Sequence, residues 1–544
     1  MMSTRQRTGM LATVLMLTAA LWAVNLVWLR KDTRPPVWDM ALHQTYALNY
    51  LPGQAEGIPW AERSGNYPPF VHWMIALCYL LFHPGPHVAV MANIPATLIL
   101  LGAVYLLGFD LAGAAAARWA CILTALVPYM IWMSRETVLD YWLAAWLAAA
   151  LAVLLRSDGF RLRYHGILFG CIFALGLLTK WFFAGFLFFP ILYILVRNRI
   201  WRDPVRRTHC ADALLAAFAG AAVWYLPNTA KLTTYFFENA QVGALEGEPP
   251  VLSFQSLIYY LRLLEGYQLF GLLFLLVVIA LVFVWRRGLL RDAGFLAAAV
   301  CGGWLVLTLL RTKDPRFSMP LLGPLCVVAG AWLQSWKTGR RTALLKSGLV
   351  LLLCFQAFAA NFGVRWIPQE VVLLRGYSGS LRWDWNLYLQ HYFHVLGPPR
   401  REDWKIEPIL RRVAADAGAA GRRAELALIP DLPHFNSTTF SLLARLRSVS
   451  VRVAHLRSQG RDVRAFGDFQ YVVMTERDQG MSWTTGSSLR LNQIIVDDPR
   501  TFRLLETFAL PDGNRARLYS IERGAPAHPA YAFSGWCAPR RAPA

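Results

Sequence analysis

The chain lacks the cysteine spacings that mark a metal or redox protein. Its eight cysteines are scattered, mostly within apolar runs (Cys121, Cys171, Cys301, Cys326, Cys354), and none stands in CxxC or CxxH spacing. A zinc cluster or disulfide framework is therefore not what organises the fold, and the thiols read as small buried hydrophobes. The stretch after residue 362 has no nucleophile elbow, no phosphate-binding glycine loop and no metal motif. That argues against an enzyme whose chemistry sits in a separate exported domain. Internal repeats are missing too, and ionisable residues cluster at helix ends rather than mid-run, unlike a carrier built on broken helices. A multi-span transporter of a lipid-linked or small anionic substrate is the alternative from another class.

What is present is apolar sequence in excess of any single soluble core: 56% hydrophobic residues and 22 tryptophans in 544 residues. Runs near 9–29, 87–108, 118–133, 139–155, 166–179, 181–196, 211–227, 268–285, 293–310, 317–334 and 343–361 predict a polytopic α-helical membrane protein with about 11 transmembrane helices. The net charge of +21 is not a nucleic-acid signature, because much of the excess fills short loops between spans. Arg156, Arg161 and Arg163 fill one. Arg197, Arg199, Arg202, Arg206 and Arg207 fill a second, Arg286, Arg287 and Arg291 a third, and Lys337, Arg340, Arg341 and Lys346 a fourth. By the positive-inside rule these loops are cytoplasmic. Arg5 and Arg7 place the N-terminus there too; Arg30, Lys31 and Arg34 oppose that reading and are outweighed. The first run ends in Trp28-Leu29-Arg30-Lys31 without a small-residue cleavage site, so it reads as a retained anchor.

The expected organisation is a transmembrane domain over 1–361, an extracytoplasmic α/β domain over 362–523 and a disordered tail over 524–544. A first external loop spans 30–86, its segment Phe70 to Phe82 too short to span and read as interfacial. A second, 228–267, has the length and Gly/Pro content of a lid, or of a passive connector. In the exported part, Ala424–Ile429, Val451–Leu456 and Phe469–Thr475 read as strands around a helix near 437–447. Leu504–Leu510 and Arg515–Ile521 read as a terminal hairpin.

Charged residues recur on the side opposite the basic loops. Asp39 follows the first span. Arg135, Glu136 and Asp140 sit at a junction of two spans, with Glu136 and Asp140 at i,i+4 on one expected helix face, where capping of the helix dipole is the rival role. Lys180 stands at an outer turn. Arg311, Lys313 and Arg316 open another helix against the positive-inside trend, which an anionic lipid phosphate explains; snorkelling with a local pair to Asp314 is the bland account. Carboxylates that can activate a hydroxyl, beside cations that can stabilise a departing phosphate, suit group transfer from a lipid-linked phosphate.

These pieces resemble, in order over about residues 10–335, the GT-C fold glycosyltransferases that use polyprenyl-phosphate sugars, family 39. The bacterial relatives of protein O-mannosyltransferases and the lipid A aminoarabinose transferases are the most similar in pattern. The resemblance rests on Asp39, on Asn66-Tyr67-Pro68-Pro69, on Arg135 to Asp140, on Gly176-Leu177-Leu178-Thr179-Lys180, and on Lys313-Asp314-Pro315-Arg316-Phe317 leading to Pro320. It implies a sugar moved from a polyprenyl-phosphate donor to an acceptor lipid, glycan or protein, at the extracytoplasmic face of the inner membrane, by one inverting displacement. It also implies catalytic roles for Asp39, Asp140 and Glu136, and substrate contacts from Arg135, Tyr67, His72, Lys180, Arg311, Lys313 and Arg316. Cell-envelope work such as protein glycosylation or lipid A modification follows, with membrane lipids and no nucleic acid as partners. Relatives commonly carry Asp-Glu in the first loop where this chain has Asp39-Met40, and Tyr67 stands where some have lysine before proline. The need for a divalent metal, with Asp39 and Asp140 as candidate ligands, is therefore open, and Glu56, Glu62, Arg34, Arg63, His43 or His72 are the substitutes that spacing leaves in play.

Overall fold

A computed structural model describes residues 2–54, 57–378, 381–390, 397–418, 424–456 and 466–522. The expected tail from 524 and Glu56 lie outside the described residues. Backbone contacts divide the chain into two units, one of residues 1–33 with 43–401, the other of 34–42 with 402 onward.

The first unit is helical. In chain order come α1 (Thr4–Lys31), α2 (Trp38–Leu48, of which His43 onward belongs here), α3 (Phe70–Leu81), α4 (Pro86–Val90), α5 (Asn93–Ala112), α6 (Ala114–Leu126), α7 (Pro128–Met133) and α8 (Asp140–Arg156). They are followed by α9 (Arg163–Leu177), α10 (Phe183–Arg197), α11 (Pro204–Leu245), α12 (Phe254–Leu263), α13 (Phe270–Arg287), α14 (Ala293–Leu309), α15 (Leu322–Gln334) and α16 (Arg340–Phe362). An antiparallel ribbon, β1 (Glu370–Ser378) with β2 (Leu381–Tyr388), closes the unit. Each predicted apolar run falls on a helix or on consecutive helices. Among the described residues, five helical stretches are long and apolar enough to cross a membrane: Thr4–Lys31, Pro86–Ala112, Pro204–Leu245, Phe254–Arg287 and Arg340–Phe362; shorter apolar helices accompany them.

The basic loops gather at one end. Arg156 Nε donates to Asp110 at 2.5 Å, and Arg291 reaches the Asp110 carbonyl at 3.4 Å. Arg206 donates to the carbonyls of Asp158 at 3.0 Å and Gly159 at 3.2 Å, and Arg197 pairs with Asp292. Helix α8 carries the chain from that end to the other: its 17 residues rise about 26 Å, close to the hydrocarbon thickness of ~30 Å. Asp140 opens it, and Asp140 to Leu154 are buried without interruption.

Small residues let the helices approach. On α9, Gly166 and Gly170 face α11: a Cβ on Gly166 would lie 3.3 Å from the His209 carbonyl, and one on Gly170 would collide with the Ala213 carbonyl. On α11, Gly220 answers with Ala174. This is the small-xxx-small seam of membrane helices, where backbone proximity replaces the hydrophobic effect as the source of cohesion. The stretch 228–267, expected as an irregular loop, is mostly helical. Helix α11 continues past Pro227 to Leu245, and α12 leads through a π-turn at Leu264–Leu269 into α13; the segment 246–253 joins α11 to α12.

In the second unit a five-stranded sheet runs in the order β4-β3-β5-β7-β6, formed by β3 (Ala424–Leu428), β4 (Val451–His455), β5 (Tyr471–Thr475), β6 (Phe502–Ala509) and β7 (Arg515–Ile521). Helices α17 (Ile406–Gly418), α18 (Ser437–Leu446) and α19 (Ser482–Asp497) complete it. Strand β3 alternates Leu426 and Leu428 into one core with Ala427 and Ile429 into the other, as a central strand buried on both faces requires. The expected strands, helix and terminal hairpin all form. The segment before Asp39 belongs to this unit: His434 Nδ1 donates to the Pro35 carbonyl at 2.8 Å, Thr439 to the Pro36 carbonyl at 2.9 Å, and Trp38 Nε1 to Asp431 at 3.0 Å.

Replacing Gly170 by leucine forces α9 and α11 apart and is expected to lower unfolding stability by about 1–3 kcal/mol, read as a lower thermal midpoint in detergent. Leu214→Ala, at a position 66% exposed on α11, serves as the control that leaves the midpoint unchanged.

Candidate active site

At the end of the first unit opposite the basic loops, three turns converge. The first precedes α8. Its expected shared helix face does not form, because α8 begins only at Asp140 and half-buried Glu136 lies in the turn before it. Asn93 on α5 holds that turn out of the helix, donating to the carbonyls of Ser134 at 3.2 Å and Glu136 at 2.7 Å, and Gln44 bonds Thr137 Oγ1 at 3.0 Å. The second turn, between α9 and α10, carries Lys180; the third, between α14 and α15, carries 311–318.

Lys180 Nζ lies 2.7 Å from Asp140 Oδ1, the carboxylate 1% and the lysine side chain 12% exposed. Two aromatic faces enclose the ammonium, Phe317 at 4.3 Å and Phe182 at 4.9 Å from ring centre. Burial lowers the Lys180 pKa, with Asp140 pulling it back up and Arg316 pushing it further down. Arg316 grips Asp314 in a fork, Nε to Oδ1 at 3.0 Å and Nη2 to Oδ2 at 2.6 Å. Gln268, from the π-turn, fixes this segment by donating to the Pro315 carbonyl at 2.6 Å and to Ser318 Oγ at 2.9 Å. The fields of these groups overlap, Lys180 sensing Asp140, Arg316 and Asp314 together. Two carboxylates, one ammonium and one forked guanidinium thus share a site at this end of the bundle.

Other expected residues stand elsewhere. The Arg135 guanidinium is buried against the Trp28 ring at 4.3 Å and donates to Asn25 at 3.2 Å and Asn361 at 2.8 Å, tying α1 to α16. Lys313 caps α14, its Nζ donating to the carbonyls of Leu307 at 3.2 Å and Leu310 at 2.9 Å. The Lys313 amide bonds the Glu248 carboxylate, and this latches 246–253 to the turn. Arg311 is half-exposed beside them. The Tyr67 ring meets His43 edge-on at 4.9 Å, and its hydroxyl lies 3.2 Å from that of Tyr235. His72 is fully buried, with both ring nitrogens engaged by His43 and Ser64. Asp39 opens α2 in its first turn and belongs with the second unit. Sequence reasoning passed over Gln268, Phe182 and Glu248, and met Phe317 only as the end of the motif from Lys313. Among the described residues no three His, Cys, Asp or Glu side chains gather as a metal site requires, and Asp140 is already paired with Lys180.

Removing one partner of the buried pair should cost about 3–5 kcal/mol, so Lys180→Met is expected to destabilise sharply and Lys180→Met with Asp140→Leu to recover most of the loss in a thermal-shift series. Glu248 gives a pH test. Burial raises its pKa from 4.5 to about 7, against the lowering effect of the Lys313 amide. The folded state therefore holds this proton more tightly, and the group weakens the fold as pH rises from 4.5 to about 7. Glu248→Gln should flatten that part of the stability profile.

No curated protein matches the chain by sequence. Residues 66–226 match the profile of the family described as dolichyl-phosphate-mannose-protein mannosyltransferase. Among solved structures, ArnT from Cupriavidus metallidurans bound to undecaprenyl phosphate is similar at TM-score 0.58 and 16% identity, over 94% of this chain and 98% of that one. Its apo form is similar at 0.56 and 15%, over 92% and 97%. The Archaeoglobus fulgidus oligosaccharyltransferase in complex with Zn and sulfate is similar at 0.50 and 13%, over 85% and 67%. With its apolar helices and C-terminal sheet unit, this chain is a multi-pass membrane protein with the fold of the GT-C glycosyltransferases.

Proposed function

We propose that the protein moves a sugar from a polyprenyl-phosphate donor to an acceptor hydroxyl on a lipid, a glycan or a protein at the extracytoplasmic face of the inner membrane. The observation that carries this reading is the Lys180–Asp140 pair with Arg316 beside it, at the end of the helical unit opposite its basic loops. A lysine enclosed there by aromatic rings, with an arginine beside it, suits a phosphate whose isoprenoid tail lies in lipid, and the structurally similar ArnT is bound to undecaprenyl phosphate. A donor phosphate would take Lys180, Arg316 and Arg311 as its contacts. Asp140 aims Lys180 from 2.7 Å and favours its charged form against burial.

Asp39 is the proposed base. Its position after the first span and the grip of the second unit on Pro35, Pro36 and Trp38 support that assignment, since a base has to be held as firmly as the substrate it meets. It takes the acceptor proton while the acceptor oxygen displaces the phosphate at the anomeric carbon, with inversion and no covalent enzyme intermediate. Glu136 stands close to Asp140 in sequence as a second acid.

The test is sugar transfer by the purified protein in lipid nanodiscs, from a panel of polyprenyl-phosphate sugars to a membrane extract. Asp39→Asn is expected to lower turnover by about 10²–10⁴-fold, the span of a general base, with its thermal midpoint unchanged. Turnover that survives this substitution removes Asp39 from the mechanism; well-folded wild type inactive with every donor removes the reading.

A further inference from the structure

The first unit also holds a buried polar chain that the charge cluster leaves unexplained. His43, on α2, is 2% exposed, and its Nδ1 lies 2.9 Å from Nε2 of His72, on α3. His72 Nδ1 lies 2.8 Å from Ser64 Oγ, and that hydroxyl lies 2.7 Å from the hydroxyl of half-buried Tyr50. Four side chains thus lead from an inner imidazole toward the edge of the protein. The surroundings fix each link. Tyr46 packs edge-on against His72 at 5.4 Å. Gly65, at φ +60°, turns the backbone just after Ser64 where any Cβ would collide with the Tyr46 hydroxyl. From α11, Lys231 donates to the Gly65 carbonyl at 2.8 Å.

A neutral imidazole has one donor and one acceptor nitrogen, so a chain through two of them has only two consistent settings. Either every proton points toward Tyr50, leaving Nε2 of His43 a bare lone pair, or every proton points toward His43 and its Nε2 carries N–H. That nitrogen has no hydrogen-bond partner among the described residues. Burial, followed by the charges of Arg316 and Lys180, holds the His43 pKa down to about 3, so the ring is neutral and a poor base. Gln44, next to His43 on α2, bonds Thr137 at 3.0 Å in the turn that leads into Asp140, so α2 packs against the turn of the Lys180–Asp140 pair, and an anion drawn to Lys180 and Arg316 there needs a donor that the second setting supplies.

We propose that His43 is a catalytic residue that donates its Nε2 proton to the departing phosphate of a lipid-linked donor, with His72, Ser64 and Tyr50 as positioning residues behind it. The inference rests on the glycosyltransferase reading. In the step, the acceptor oxygen bonds to the anomeric carbon as the bond from that carbon to the phosphate oxygen breaks, and the electron pair leaves with the phosphate. The phosphate takes the proton of His43 Nε2. His43 Nδ1 takes that of His72 Nε2, His72 Nδ1 takes that of Ser64, Ser64 takes that of Tyr50, and Tyr50 is replenished from water. The acceptor proton goes separately to the carboxylate base. No imidazolium forms, which is what the neighbouring cations require, and a neutral imidazole acting as electrophile has precedent in other enzymes.

The test has two arms. In nanodiscs, His43→Phe is expected to lower kcat about 10²-fold with polyprenyl-phosphate affinity within threefold. Ser64→Ala should lower kcat by a smaller factor that Ser64→Thr restores, a rescue that a packing role would not show. In the other arm, ¹⁵N spectra of histidine-labelled wild type should show the Nε2–H tautomer of His43 when polyprenyl phosphate is added, and Tyr50→Phe should reduce its share. Normal kcat in folded His43→Phe, or the Nδ1–H tautomer in the ligand complex, overturns the inference and leaves the glycosyltransferase reading standing. Wild type that neither binds polyprenyl phosphate nor transfers sugar removes both.

Discussion

A lysine with its ammonium almost wholly out of water, held by one carboxylate, sets the terms for the rest of the helical unit. An ion of that kind costs several kcal/mol to desolvate, and the attraction of a single partner offsets this only when the geometry is good. The unit supplies that geometry by burying α8 from Asp140 to Leu154 without interruption, so that Asp140 has little freedom to leave. The alanines of α8 and the glycines of α9 let the backbones close around it. The aromatic faces of Phe182 and Phe317 remove water from the ammonium without adding a competing anion. A buried pair of this kind is the arrangement by which the proposed donor phosphate would be met.

The two ends of the unit divide the work. At the basic end, arginines are consumed by aspartates and carbonyls across neighbouring loops, and their charge serves orientation and packing. At the other end, Lys180 and Arg316 are each paired with one aspartate, and two aromatic rings enclose the lysine. The second unit contributes in a different way. It holds the backbone on which Asp39 lies, through Pro35, Pro36 and Trp38.

Much of this was legible in the sequence, for physical reasons. Apolar runs near the thickness of a bilayer have few alternatives to helix, and charges at their ends report sidedness because burying them mid-membrane is costly. Lys180 and Asp140 were visible as members of one side, although not as partners. What could not be read was where each side chain turns. Lys313 looked like a phosphate ligand and instead satisfies the carbonyls that α14 leaves open, a local choice that sequence does not encode. Glu136 and Asp140 had helical spacing, but the amide of Asn93, more than forty residues away, holds Glu136 off the helix. The stretch after Pro227 lacks an apolar stripe and read as a loop; its helix is an extension of α11 anchored by tertiary contacts such as Lys231. The histidine chain depended on α2, the turn at Ser64 and α3 meeting in space; His43 and His72 were named singly, and nothing in their spacing joins them through Ser64 to Tyr50.

Helix α11 has 42 residues, about 63 Å of rise and twice the hydrocarbon thickness of ~30 Å. It is therefore a rod with one part in lipid and one part beyond it. Asn228 and Lys231, just past the middle, hold the turn of Ala61 and Gly65. The rod thereby ties the turn that carries Ser64 to the part of α11 that continues past its apolar run, so the length of one helix sets how far from that run the turn is held.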